Sequence, residues 1–177
     1  MNTIVKKIIV GISSLLALGV VTSFEGDAKA AGTATSNLSV SASVSANCTI
    51  STSALAFGAY DPVSTNAAAP LDGTGGVTVT CTQGASTTIT LGQGTSAKVA
   101  STDAVPLRQM ADGANRLEYF IYQDAGHSTV WGNTAGTGVG HTGTGTATSI
   151  TAYGRVSAGQ NVPSGSYTDT VVATVTF

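Results

Sequence analysis

The chain has 177 residues, 42% of them hydrophobic and only 9% charged, with a formal net charge of −2. An average soluble domain carries roughly 25% charged residues, and this chain has neither a basic patch for nucleic acid nor an acidic tail. Apolar residues recurring at strand spacing in a Thr-, Ser-, Gly- and Ala-rich background argue against a disordered linker. They point to an exported, β-rich structural protein.

Lys6 and Lys7 precede an apolar run from Ile8 to Val21, and Ala28-Lys29-Ala30 stands directly before Ala31. A positive start, an apolar middle and small residues at the end predict a secretory signal peptide over residues 1–30, cleaved after Ala30. As a membrane anchor the run is short of the roughly 20 residues that a spanning helix needs. Cleavage leaves one domain with four cations (Lys98, Arg108, Arg116 and Arg155) and seven carboxylates. Both cysteines, Cys48 and Cys81, lie in that domain. In an oxidising compartment an even count predicts a disulfide, and closing this 33-position loop is worth about 3–4 kcal/mol.

Strand signals then follow nearly to the end. Leu38, Val40, Ala42 and Val44 alternate with four serines, so a strand there has one apolar and one polar face. Extended structure restarts at Cys48-Thr49-Ile50, and Leu55-Ala56-Phe57-Gly58 reads as a short strand. Residues 61–76, with Pro62, Pro70, Asp72-Gly73 and Gly75-Gly76, read as a turn-rich connection. Strands are expected at 77–81 and 87–91, then a loop over 92–104 and a hairpin signal at Asp112-Gly113. Residues 117–122 form the most aromatic strand, and the glycine-rich stretch 132–146 reads as a flexible connection. A strand is expected at 148–156 and a turn at 161–165. The final strand carries Tyr167, Asp169, Val171, Ala173, Val175 and Phe177 on one face. Seven or eight short alternating strands predict an antiparallel β-sandwich.

Motifs for chemistry are sparse. The glycine runs do not precede a helix and lack GxxxxGK[ST], so they are loops and not phosphate cradles. His127 and His141 lack both a nucleophile elbow and the paired spacing of a zinc site. No catalytic, cofactor, metal or nucleic-acid site is expected. The two ends of the exported chain are more informative. An apolar final strand normally has its edge blunted or covered, and this one ends bare at Phe177. A sandwich lacking its last strand would expose a groove there, and the alternating segment of a neighbouring molecule could fill it.

Three motifs resemble the spore coat protein U (SCPU) domain family, which includes the pilins of archaic chaperone–usher pili. They are Leu117-Glu118-Tyr119-Phe120-Ile121-Tyr122-Gln123-Asp124-Ala125 continuing to Val130-Trp131-Gly132; Tyr153-Gly154-Arg155-Val156 with Gln160-Asn161-Val162-Pro163 and Gly165 to Val171; and the closing Val172 to Phe177 with the upstream cysteines. The resemblance implies an all-β fold, an incomplete immunoglobulin-like antiparallel β-sandwich completed by a donor strand. It divides the chain into a signal peptide (1–30), a donor-strand extension (31–45) and a pilin domain (46–177). It further implies a periplasmic chaperone, an outer-membrane usher and other pilus subunits as partners, with a fibre at the cell surface serving adhesion and biofilm formation. Leu38, Val40, Ala42 and Val44 become the inserting side chains. Val171, Ala173, Val175 and Phe177 become the acceptor edge, with the chaperone anchoring the carboxylate of Phe177, and the family bridge maps onto Cys48 and Cys81. Ala42 departs from the bulkier residue common at such a position, which leaves the register of the donor open. The alternative is a self-complemented coat protein or adhesin whose own segment folds back into the groove.

Overall fold

The computed structural model describes residues 31–177, so the signal peptide expected at 1–30 lies outside the described residues. The chain divides into a unit Met1–Ser41 and a unit Ala42–Phe177. Residues 31–41, the described part of the first, have no regular secondary structure and are all exposed. The alternating stretch at 38–44 is therefore not a paired strand. Period-two spacing fixes which side chains share a face, but a strand is stable only against partners.

The second unit contains β1 (Cys48–Ser53), α1 (Thr65–Ala68), β2 (Leu71–Cys81), β3 (Ser86–Leu91), β4 (Arg108–Asp112), β5 (Asn115–Tyr122), β6 (Val139–Thr142), β7 (Thr148–Val156) and β8 (Ala173–Thr176). One sheet has the order β1-β2-β7-β5-β4 and the other β6-β3-β8. Every pairing is antiparallel, as the alternation predicted. Inward residues of the large sheet (Val77, Val79, Leu117, Tyr119, Ile121, Ala152 and Val156) meet Ile89 and Leu91 of the small one. Trp131, fully buried, closes this core, and its indole N–H donates to the carbonyl of Ile89 at 2.9 Å. Cys48 lies opposite Cys81 in the β1–β2 register, and the two form a disulfide. The hairpin at Asp112-Gly113 is present, with Gly113 at φ 57° in the first central position of a two-residue loop.

Four expectations need correction. Residues 71–76 are not a turn-rich connection but the first half of β2, paired with β7. Their glycines make room for side chains instead of turning the chain. A Cβ at Gly75 would stand 2.8 Å from Leu55 Cβ, and one at Gly154 would stand 2.7 Å from Leu55 Cδ2 and from Phe57 Cζ. Leu55 to Gly58 is not a strand: it lies over that glycine floor without pairing to any strand. The glycine-rich stretch contains β6, which pairs with β3. The long final strand is regular only over Ala173–Thr176, and Thr168 pairs separately with Ala111 of β4.

Candidate functional site

β8 is a terminal strand of its sheet, and its edge is polarised by residue. The amide of Gly92 donates to the carbonyl of Val172 at 2.9 Å, on the same register that aligns Leu91 with Ala173 and Ile89 with Val175. Bonding alternates along an antiparallel ladder, so Val172 and Thr174 turn their amides and carbonyls toward β3. Ala173 and Val175 turn theirs to the open side. Along a strand, side-chain direction alternates in phase with this, and the side chains of Ala173 and Val175 face inward, half-buried against the core. One pair of residues thus offers both free backbone groups and apolar side chains.

A cleft of about 380 Å³ reaches this edge at Ala173 and adjoins a second of about 720 Å³. They share Leu55, Phe57, Met110 and Tyr167 and form one track. One lip is residues 52–63 and the other residues 161–173, while Leu117, Tyr119, Ile121 and Val156 contribute the floor. The first lip is held at both ends. β1 is tied to β2 by the disulfide. At the other end the hydroxyl of Tyr60 donates to the carbonyl of Ser157 at 3.0 Å and accepts from the amide of Gln160 at 2.9 Å. Phe57 meets Tyr119 edge-on across the track, with ring centroids 5.9 Å apart. Burial is the main influence raising the Tyr119 phenol well above its ordinary range, and the hydrogen bond to Asp169 adds to it. The phenol is a neutral donor throughout the physiological range.

Arg108 supports the second lip from inside. It is 1% exposed and donates to the carbonyls of Gly92 (2.9 Å), Leu91 (2.9 Å) and Trp131 (2.8 Å). Burial brings its guanidinium down to about 10, still protonated at neutral pH. A buried charge of this kind persists only with good partners, and here they are carbonyls at the end of β3 and beside the core tryptophan.

The residues singled out from the sequence are distributed unevenly. Val171 and Ala173 line the track. Val175 sits behind them, opposite Ile89, and Phe177 lies past the end of β8, 55% exposed. Leu38, Val40 and Val44 are 88%, 85% and 86% exposed, and Ala42 is exposed as well. The floor from β5, the Leu55–Phe57 lip and the support from Arg108 were missed. For the floor the signal was available, because Leu117, Tyr119 and Ile121 alternate on one face of the most aromatic strand. Among the described residues no cluster of His, Cys, Asp and Glu is arranged to hold a metal ion.

Comparison with known proteins places this arrangement in a wider setting. The Spore Coat Protein U domain model matches residues 34–174. Protein U of Myxococcus xanthus is 49% identical over 155 residues, covering 83% of this chain and 87% of the relative. Among solved structures, a similar fold occurs in the CsuC-CsuE chaperone-tip adhesion subunit pre-assembly complex from the archaic chaperone-usher Csu pili of Acinetobacter baumannii. That match has a TM-score of 0.51 at 20% identity and covers 76% of this chain but 40% of the other.

Proposed function

The chain belongs to the spore coat protein U domain family, and from that membership and its groove we infer a non-enzymatic structural subunit that polymerises at the cell surface by donor-strand exchange. One observation carries this reading. The backbone groups of Ala173 and Val175 on the open side of β8 are unpaired, and Ala173 borders an apolar cleft that continues into a second one. Residues 38–44 of a second molecule supply such a segment, with Leu38, Val40, Ala42 and Val44 on one face. Burying Leu or Val fully is worth about 1.5–3 kcal/mol each, and the strand ladder on β8 adds main-chain affinity and direction. Donor and acceptor are different surfaces of the same chain, so the contact is heterologous and propagates as a fibre instead of closing into a ring.

On this reading a signal peptide sends the chain to the periplasm, and a chaperone covers the groove there. An usher then exchanges the chaperone for the next subunit, and the fibre supports adhesion and biofilm formation. Deleting residues 31–44 tests it. The shortened chain should remain folded with its chaperone yet form no fibres by electron microscopy, and fibres of normal length would refute the reading.

The 49% identity to Protein U, in a family described by a spore coat protein, favours a second reading, a coat constituent whose own residues 35–45 fill its groove. Size-exclusion chromatography of the processed chain without chaperone separates the two. A self-complemented protein elutes as a stable monomer, and a donor-strand subunit polymerises or aggregates.

A further inference from the structure

Between Tyr167 and Val172 the chain changes sheets. Thr168 exchanges both backbone hydrogen bonds with Ala111 of β4, at 2.8 and 3.1 Å, while Val172 accepts from Gly92 beyond the end of β3. Asp169 stands at this corner, and its carboxylate accepts four hydrogen bonds. Oδ1 takes the amide and the hydroxyl of Thr95, each at 2.8 Å, and the amide of Thr170 at 2.8 Å. Oδ2 takes the hydroxyl of Tyr119 at 2.7 Å. The loop before Thr95 is shaped around this group: Gly94 has φ +87°, and a Cβ there would collide with Asp169 Oδ2. Asp169 and Tyr119 both line the track.

We propose that Asp169 is a positioning residue of the acceptor groove, its carboxylate holding the sheet-switching corner so that the open edge of β8 is presented before a donor segment arrives. This role rests on the donor-strand reading. A lip that is competent only part of the time captures its ligand in proportion to that fraction. Hydrogen bonds to an ionised acceptor are stronger than neutral ones, and these four tie residues 95, 119 and 170 to one point. Once a donor is seated, its ladder with β8 holds the lip independently. The carboxylate therefore acts on association and hardly at all on dissociation, which separates it from a merely structural residue.

The test measures association and dissociation of a labelled peptide of residues 31–45 with the processed chain 31–177, supplied as its chaperone complex, by stopped-flow anisotropy. Losing these bonds in Asp169→Ala should slow association about tenfold or more, equivalent to about 1.4 kcal/mol or more, with dissociation within about twofold. Asp169→Asn should stay within about threefold of wild type, because its Oδ1 still accepts from Thr95 and Thr170. Tyr119→Phe keeps the ring shape and should slow association about threefold. Unchanged association with faster dissociation in Asp169→Ala would overturn the proposal, as would an Asp169→Asn protein as slow as the alanine variant. Should Asp169→Ala not fold, wild-type association in Tyr119→Phe overturns it. A wild-type chain that captures no peptide refutes the donor-strand reading itself, and the positioning role falls with it.

Discussion

The two edges of the small sheet are built from the same pattern and treated in opposite ways. β6 and β8 each have four residues, each pairs antiparallel with β3, and each alternates between half-buried and exposed positions. β6 carries Gly140 and His141, and its further bonds extend the contact with β3. Gly143 donates to the carbonyl of Ala85, and the hydroxyl of Thr87 donates to the carbonyl of His141 at 2.8 Å. Trp131 and Gly132 bond back to Ile121 and Thr137 just upstream. β8 presents Ala173 at an apolar cleft, with Val175 half-buried behind it. Proteins normally blunt an exposed strand edge, because a row of unpaired amides and carbonyls recruits other chains. Here one edge carries glycine and histidine while the other carries Ala173 and Val175, with Ala173 at an apolar cleft. That asymmetry gives assembly a direction.

A single charge on each edge tests this difference most severely. Ala173→Lys places an ammonium at the mouth of the track, as natural edges do to repel pairing. Polymer yield should fall by more than about tenfold, since a lysine buried without a partner costs several kcal/mol. Gly140→Lys on β6 is the control: a Cβ there meets nothing within 4 Å, and polymer yield should be unchanged by sedimentation. Equal effects at both edges would remove the distinction between them.

Much of this architecture is legible from alternation, and its failures have a common cause. Period-two spacing reports which side chains point inward, not whether the backbone between them is paired. It therefore located the strands at 77–81, 87–91, 117–122 and 148–156, where neighbours exist on both sides or the core demands burial. It mistook Leu55–Phe57 for a strand, because their inward packing on a glycine floor has the same signature. The converse error hid the first half of β2: Gly73 and Gly75 read as turn residues, yet they are small because Leu55 and Phe57 lie on them. α1 was invisible for another reason, since one turn over Thr65–Ala68 is too short to show a period. At the site, Val171 and Ala173 were readable from the final alternation. Asp169 looked like one more residue of that face, since nothing in its neighbourhood announces partners at 95 and 119.

The closed core depends on Trp131, so emptying that position should damage folding and leave the open edge's preference intact. Trp131→Ala removes a fully buried ring and leaves the carbonyl of Ile89 without its indole donor. The cost is about 3–5 kcal/mol, read as a lower urea midpoint for the chain. The lost stability should appear in chains with and without bound 31–45 peptide alike. A loss confined to the peptide-bound form would mean that the tryptophan belongs to the groove rather than to the closed core.

The outer face of the large sheet supplies the smallest effect, and it separates surface charge from edge chemistry. Asp72 and Arg155 face each other across β2 and β7 and pair through two hydrogen bonds of 2.7 Å. The hydrogen bonds from Arg155 hold the Asp72 carboxyl below its usual range; burial opposes them, and the charge of Arg155 adds a lesser pull. A depressed carboxyl stabilises the fold above its unfolded value, near 3.9. That contribution disappears as pH falls through the lower folded value. With the Asp72 side chain 48% exposed and that of Arg155 33% exposed, solvent screens the pair, and Asp72→Asn should cost under about 1 kcal/mol at neutral pH. The difference in urea midpoint between wild type and variant should shrink toward zero below about pH 3 and diminish with added salt. Polymer yield should not change. A variant that polymerised poorly at neutral pH would show that this face also takes part in assembly, and the open edge of β8 would no longer account for it alone.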